Sequence, residues 1–391
     1  MRFFADNQSM TPSAFFRAPL ALLLWLATAA ALAQGLPTPA PPVIGAKSYL
    51  VLDANTGHEV ASLKPDVRLA PASLTKLMTA YVVFRALGDG RIALDDQVPV
   101  SEKAWRTEGS RMFIEVGSRV SVEELLLGMI VQSGNDASVA LAEHIAGTEA
   151  VFAEMMTQAA REIGMHSSSF RNATGLPDDN HFTTARDMAI VARAIVQEFP
   201  EYYDWYSVKE YEYNGISQKN RNSLLWRDDS VDGMKTGMTD DAGYCLVSSA
   251  ERDGMRLISV VLGTASARAR IDGSQALLNY GFRFYETRLL YRAGEKVADT
   301  KVWKASKEIT PLGVAEDLYI TIPRGKFDNV ESTLNMPSKI LAPIAVGQPV
   351  AELNVSLDGS LLLNEPLRAL DENPEGSLWQ RTRDGVQLLF E

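Results

Sequence analysis

Ser73 and Lys76 stand three residues apart, with two between them, at the head of the apolar run Leu77–Leu87. If that run is a helix, a three-residue step brings the lysine almost over the serine, one turn on. A helix N-terminus adds unpaired N–H groups and a dipole that favour negative charge. A hydroxyl placed there, beside an amine able to take its proton, is a candidate nucleophile. The spacing alone is common, and an N-cap serine with a surface lysine one turn later gives the same pattern. Two further short signals narrow the choice. Ser133-Gly134-Asn135 follows a helical run in a loop, and Lys235-Thr236-Gly237 precedes a strand, with Asp232-Gly233 ahead of it. A lysine acts as a base near neutral pH only if burial or nearby cations push its pKa down.

The elements that must position these residues can be read in order. Ser48–Asp53 and Glu59–Leu63 flank the turn cluster Asn55-Thr56-Gly57 and read as a hairpin. The Ser73 helix follows. Ser121-Val122-Glu123-Glu124 is a capping-box pattern ahead of Leu125–Val131. Asp136–Ala146, Ala150–Ile163 and a segment from Thr184 to about Gln197 carry helical spacing. Tyr211-Glu212-Tyr213 alternates, and Gly243–Ala250 and Met255–Gly263 are joined through Arg252-Asp253-Gly254 as a second hairpin. Ser274–Phe284 returns to helix. Strands thus bracket a helical middle, which implies an α/β (α+β) domain: one antiparallel sheet, helices against it, and an inserted helical subdomain, with the site in the crevice between them. From about Leu289 the segments become short, alternating and turn-bounded, including Leu318–Ile322, Pro349–Leu353 and Asn354–Leu357 joined by Asp358-Gly359 to Leu361–Leu363. They read as a small all-β, sandwich-like domain.

Residues 1–33 have the pattern of an export signal: Arg2 and Arg17, the apolar run Leu20–Ala33, and Ala31-Leu32-Ala33 as a small-x-small cleavage site. Residues 34–46 then form a Pro-rich leader. Cys245 is the single cysteine, so no intramolecular disulfide forms; it lies in an apolar strand and reads as a core residue. The formal net charge is −11, which argues against a nucleic-acid partner and against broad adhesion to anionic membranes. His58, His144, His166 and His181 show no metal-ligand spacing, nothing sets one beside a flagged serine, and no metal or cofactor is expected. At the other end, residues 373–391 form a tail. On a helix Leu378, Trp379, Thr382, Val386, Leu389 and Phe390 fall on one arc and Gln380, Arg381, Arg383, Asp384, Gln387 and Glu391 on the other, with Leu388 the exception. That suits a helix lying in a membrane interface, with packing on the β domain as the alternative.

Ser-x-x-Lys, Ser-x-Asn and Lys-Thr-Gly in this order resemble the serine β-lactamases and penicillin-binding proteins, with Gly134 where the commoner middle triplet has aspartate. The resemblance extends beyond the triplets to Gln132–Ala137, Thr184–Ala189, Asn220-Arg221-Asn222, Val231–Gly237 and Gly281–Thr287. The chain is similar to the low-molecular-mass penicillin-binding proteins of the serine-type D-alanyl-D-alanine carboxypeptidase family. That resemblance implies a penicillin-recognising catalytic domain over 47–288, a β-rich domain over 289–372 and a membrane-anchoring tail. It implies Ser73 as nucleophile and Lys76 as general base. Ser133 would bridge Lys76, Lys235 and the leaving amine. Asn135 would offer its amide to the substrate backbone, and Lys235, Thr236 and Gly237 would lie on a strand edge facing the substrate carboxylate. The backbone N–H groups of Ser73 and Met238 would hold the oxyanion. Arg270 matches a position linked to the carboxylate, and Arg221 either serves the site or braces a loop. The implied partners are peptidoglycan stem peptides ending in D-Ala-D-Ala, β-lactam antibiotics, and the inner membrane surface through 377–391, which places the chain on the periplasmic face. The competing readings are a D,D-endopeptidase, a β-lactamase on the same scaffold, and a non-catalytic wall-binding protein. No activated-water glutamate of the lactamase kind can be identified, and the intact Ser73, Lys76 and Lys235 speak against a relic.

Overall fold

The computed structural model describes residues 38–390. The expected export signal, 1–33, and the first leader residues lie outside the described part. The central element is a five-stranded antiparallel sheet made of β1 (Ser48–Asp53), β2 (Glu59–Leu63), β3 (Val231–Thr239), β4 (Gly243–Arg252) and β5 (Met255–Thr264). Its order is β2-β1-β5-β4-β3, so β3 forms one edge. Successive side chains on a strand point to opposite faces. Leu50, Leu52, Val247, Ile258 and Val260 join the core on one side, while Tyr49, Val51, Leu246, Leu257 and Val261 join the core on the other. Burial on both faces explains the nearly unbroken apolar runs of β4 and β5.

One side of the sheet is covered by α1 (Thr75–Gly88), α2 (Val122–Val131), α3 (Asn135–Ala146), α4 (Glu149–Glu162) and α5 (Ala185–Glu198). The capping box expected at Ser121 forms, with Glu124 reaching back, and Thr184 caps α5 through the Asp187 N–H. The other side is covered by α6 (Ala267–Phe284). It starts two turns before the expected Ser274, because Ser266 caps it at the Ala269 N–H. The first turn carries Arg268 and Arg270 rather than apolar residues, so periodicity alone does not reveal it.

The β-rich region begins at Tyr285 rather than Leu289. There α6 runs directly into β6 (Tyr285–Tyr291), followed by β7 (Lys296–Lys301), β8 (Ile309–Gly313), β9 (Leu318–Pro323), β10 (Val330–Asn335), β11 (Pro349–Leu357) and β12 (Ser360–Ala369). β6 pairs with β9, and the other five form a sheet of order β7-β8-β12-β11-β10 around a third apolar core. Pro349–Leu357 is one continuous strand, not two segments. The two domains meet at buried Asp53, which accepts from Thr287 Oγ1 at 2.7 Å, and at Thr56, whose Oγ1 lies 2.7 Å from that of Thr321. The chain ends in α7 (Leu378–Gln387), capped by Ser377 with Gln380. Among the described residues no helix is long and apolar enough to cross a membrane.

Candidate active site

Ser73 lies in a single 3₁₀ turn, Ala72–Leu74, that leads into α1. Ala72 takes a left-handed conformation (φ 47°), which costs energy for a residue with a Cβ and marks a held, functional turn. Two neighbours hold it. Gly175 is packed so closely that a Cβ there would come 1.8 Å from the Ala72 carbonyl oxygen. Gly237 of β3 approaches from the other side, where a Cβ would meet the Pro71 carbonyl at 3.0 Å and the Ala72 Cβ at 3.2 Å. The glycine of the third motif thus lets the edge strand lie against the nucleophile turn.

Lys76, 1% exposed, reaches back from the first turn of α1. Its Nζ donates to Ser73 Oγ (3.1 Å), Asn135 Oδ1 (2.7 Å) and the Thr174 carbonyl (2.6 Å). Burial, reinforced by the nearby Arg221 charge, pushes its pKa down from 10.5 to about 7. Asp136 and Glu149 act in the opposite direction and lose. Lys235 is also buried, and burial together with the charges of Lys76, Arg221 and Arg270 holds it well below the ordinary lysine value. Its Nζ donates to the Thr236 carbonyl at 3.0 Å.

The second motif sits in the tight connection between α2 and α3. Ser133 is left-handed (φ 68°), buried, and its Oγ has no hydrogen-bond partner among the described residues. The expected direct bridge from Ser133 to both lysines is therefore not made. The amine of Lys76 is already saturated by Ser73, Asn135 and Thr174. Asn135 is tied into the site from both sides: its Nδ2 donates to the Glu108 carbonyl at 2.5 Å while its Oδ1 receives Lys76. The oxygen and one of the two N–H donors of the amide are held by the protein and aim the lysine, while the second N–H is left over.

Arg221 donates from Nε to the Gln132 carbonyl at 3.1 Å, bracing the end of α2 immediately before Ser133. It contributes charge to the site as well, being one of the groups that depress Lys76. Arg270, 9% exposed, donates from Nη1 to the carbonyls of Gly237 (3.0 Å) and Cys245 (3.3 Å), and its Nε has no partner among the described residues. Thr236 is buried beside Lys235, and Met238, on the same edge strand, is 53% exposed.

Two supports carry no motif signal. The loop from Asn172 to His181 presents the Thr174 carbonyl to Lys76. Asn172 Oδ1 accepts the N–H groups of Thr174 (3.1 Å) and Gly175 (2.7 Å), and His181 Nε2 lies 2.9 Å from Thr75 Oγ1. Burial drives His181 down to about pKa 4, so it is neutral at physiological pH. The second is Asp136, next to Asn135, whose buried carboxylate accepts from the N–H groups of Met112 (3.0 Å), Phe113 (2.9 Å) and Ile114 (3.3 Å). It fixes the loop that supplies the Glu108 acceptor. Asn172-Ala173-Thr174-Gly175 is legible as a turn cluster, but a backbone carbonyl has no residue type to betray it.

A serine hydrogen-bonded to a depressed, buried lysine, set beside an edge strand, defines a serine acyl-transfer site that works without histidine. A family profile described as "D-alanyl-D-alanine carboxypeptidase" matches residues 36–266, and one described as "Penicillin-binding protein 5, C-terminal domain" matches 285–375. The chain is 40% identical over 360 residues to D-alanyl-D-alanine carboxypeptidase DacA of Escherichia coli K12, covering 90% of this chain and 89% of that protein. It is 40% identical over 378 residues to DacC of the same organism, covering 94% of each. Penicillin-binding protein 5 from Haemophilus influenzae superimposes with a TM-score of 0.83 at 41% identity, over 86% of this chain and 100% of that one. The chain therefore belongs to the D-alanyl-D-alanine carboxypeptidase family, with the C-terminal β domain of penicillin-binding protein 5.

Proposed function

We infer that this chain is a serine D-alanyl-D-alanine carboxypeptidase that removes the terminal D-alanine from peptidoglycan stem peptides. The observation that carries the reading is the hydrogen-bond set of Lys76. A neutral amine keeps two N–H donors and one lone pair. The two shorter bonds, to Asn135 and Thr174, retain the donors, which leaves the lone pair facing Ser73 Oγ at 3.1 Å. With a pKa near 7, that form is well populated at physiological pH.

The peptide adds along the exposed edge of β3, its terminal carboxylate facing Lys235 and Thr236, with Arg270 behind them. Ser73 Oγ attacks the carbonyl carbon between the two D-alanines as its proton passes to Lys76. The backbone N–H groups of Ser73 and Met238 receive the oxyanion. As the tetrahedral intermediate collapses, the C–N bond breaks and the D-alanine amine takes a proton through Ser133. Its buried hydroxyl, without a partner in the protein, supports this relay. Water then attacks the Ser73 ester, giving a proton to Lys76; the bond from the acyl carbon to Ser73 Oγ breaks as that proton returns to the Ser73 oxygen, and the shortened peptide leaves. A β-lactam carbonyl acylates Ser73 by the same attack. The strained turn at Ala72 keeps the hydroxyl at the crevice throughout.

We place the enzyme on the periplasmic face of the inner membrane, with 47–284 as the catalytic unit, 285–372 as a spacer, and 377–391 lying on the membrane surface. The export pattern at 1–33 and the exposed apolar residues of the tail support this placement. The reading is tested by D-alanine release from a stem pentapeptide, measured beside Ser73→Ala, with penicillin labelling of the same samples. Both signals are expected in the wild type and neither in the variant. Labelling without release would redirect the reading toward a cross-link substrate, and loss of both in the wild type would end it.

A further inference from the structure

A cavity of about 430 Å³ opens where the two domains join, on the side of the sheet away from Ser73. Its floor residues Met255 and Phe282 belong to the core beneath α6, whereas Ala72 and Leu74, flanking the nucleophile, belong to the opposite core. Four arginines line it, each from a different element: Arg252 at the end of β4, Arg283 on α6, Arg288 on β6 and Arg324 after β9. Only two carboxylates, Asp253 and Glu286, share the wall. In a chain of net charge −11 this is a local excess of positive charge.

Two of the four arginines are paired with carboxylates, and the other two are held without a carboxylate in contact among the described residues. Arg252 is fixed by Asp228 (2.7 Å) and stacks over Phe282 (4.5 Å). Arg288 spends Nε and Nη2 on Glu286 and lies over Phe327, leaving Nη1 unused. Arg324 donates Nη2 to the carbonyls of Phe282 (2.9 Å) and Tyr285 (3.1 Å) and meets no carboxylate among the described residues. Arg283 rests over the ring of Phe284 and likewise has no acidic partner among them. Glu286 is already occupied by Arg288 and the Gly325 N–H. Two guanidinium groups without a direct ion-pair contact among the described residues, in one concavity, with two more offering spare N–H donors, match the planar bidentate geometry by which arginine takes phosphate.

We propose that this junction cavity binds a phosphate-bearing ligand, which bridges the catalytic domain (through Arg252 and Arg283) to the β domain (through Arg288 and Arg324). The ligand chemistry is a phosphate monoester or diester, from a soluble molecule or a lipid headgroup. The site is separate from the acylation chemistry, so this inference does not depend on the activity proposed above.

The test uses the full chain and pyrophosphate as probe, with titration calorimetry at low salt. Saturable binding is expected, weakening as salt is added. Arg283 makes no hydrogen bond or ion pair with a described residue and only rests over the Phe284 ring, so its substitution is expected to leave the fold intact. Arg283→Ala is expected to weaken pyrophosphate about tenfold, as loss of a hydrogen bond to a charged group does. Arg283→Glu is expected to abolish binding, while D-alanine release by both variants is unchanged. Arg268→Glu, at a side chain 92% exposed outside the cavity, is the control for general charge and should bind as the wild type does. Absence of saturable binding, equal binding by Arg283→Glu, or an equal loss in Arg268→Glu would overturn the proposal. Phosphatidylglycerol vesicles separate the sources. Displacement of pyrophosphate by vesicles, with vesicle affinity lowered in Arg283→Glu, identifies a lipid headgroup. Vesicle binding indifferent to that substitution, while pyrophosphate binding is lost, identifies a soluble phosphate.

Discussion

Lys76 shows how one residue carries both a folding cost and a chemical use. Its ammonium is buried, and the desolvation that destabilises it in the fold is what brings its pKa to about 7. Between pH 7 and 10.5 the unfolded chain holds a proton at this site that the folded chain has released, so stability rises with pH across that window. The cost is complete below pH 7 and absent above pH 10.5. Lys76→Met removes the titration, so its melting temperature relative to wild type is expected to be highest at pH 6 and to fall by pH 9. The underlying change is on the order of 2 kcal/mol, and thermal unfolding at the two pH values measures it. The kinetic counterpart is Lys76→Arg, which keeps a cation and loses the base. The kcat/KM for D-alanine release is expected to drop about 10²- to 10⁴-fold and to lose its rise through pH 7. A variant that kept that rise would assign it to another group. The pair Ser73 and Lys76 was legible in the sequence because residue type and spacing both speak. The roles of Asn135 and Ser133 were only half legible: the types are right, but which partners each hydroxyl or amide takes is set by groups far away in the chain, such as the Glu108 and Thr174 carbonyls.

At the scale of elements, the site is three connections pressed together rather than three helices or strands. The nucleophile turn, the α2–α3 connection and the Asn172–His181 loop each include a left-handed or tightly approached residue: Ala72, Ser133 and Gly175. Apolar periodicity found the elements that carry these connections, since α1 through α5 and β1, β4 and β5 each bury a regular stripe or face. It missed the opening of α6, where Arg268 and Arg270 replace that stripe, and it divided β11, where the Asn354 interruption lies on the less buried side of a continuous strand. It gave the Asn172 loop no function, because the working atom there is a main-chain oxygen. That loop carries its own prediction. Gly175 has φ +83°, and an added Cβ would fall 1.8 Å from the Ala72 oxygen. Gly175→Ala therefore strains its own backbone and displaces the Ser73 turn. Destabilisation of roughly 2–6 kcal/mol is expected from the two effects together. Penicillin labelling should fall even at temperatures where the variant remains folded. Full labelling by a folded Gly175→Ala chain would show that Ser73 does not depend on this clamp.

At the scale of the molecule, the two domains are tied by α6 running unbroken into β6 and by the Asp53, Thr56, Thr287 and Thr321 contacts, so the β domain projects from the end of the sheet. The far end carries α7, and its docking is inverted relative to an ordinary surface helix, which buries its apolar stripe. Here it is the polar arc that faces the protein. Asp384 is 6% exposed, accepts the Lys304 N–H at 2.7 Å and pairs with Arg383, while Arg381 pairs with Glu375. Lys339 Nζ closes over the Leu388 carbonyl at 3.3 Å. The apolar arc is turned outward: Trp379 is 78% exposed, Leu389 81% and Phe390 87%, with Leu378 and Val386 beside them. An outward apolar patch of this kind suits an interaction surface. Aromatic side chains beside arginines suit the headgroup boundary of a bilayer. Because Asp384 rather than the apolar arc secures α7, Trp379→Ser with Phe390→Ser should leave the fold and the D-alanine release from a soluble peptide intact. The same double variant should lower binding to lipid vesicles at least about tenfold, since full burial of each side chain is worth ~1.5–3 kcal/mol. Asp384→Ala makes the complementary case. It frees the helix from Lys304 without touching the apolar arc, so it should loosen the tail while vesicle binding persists. If vesicle binding survives the double variant and fails in Asp384→Ala, the tail holds the β domain rather than the membrane.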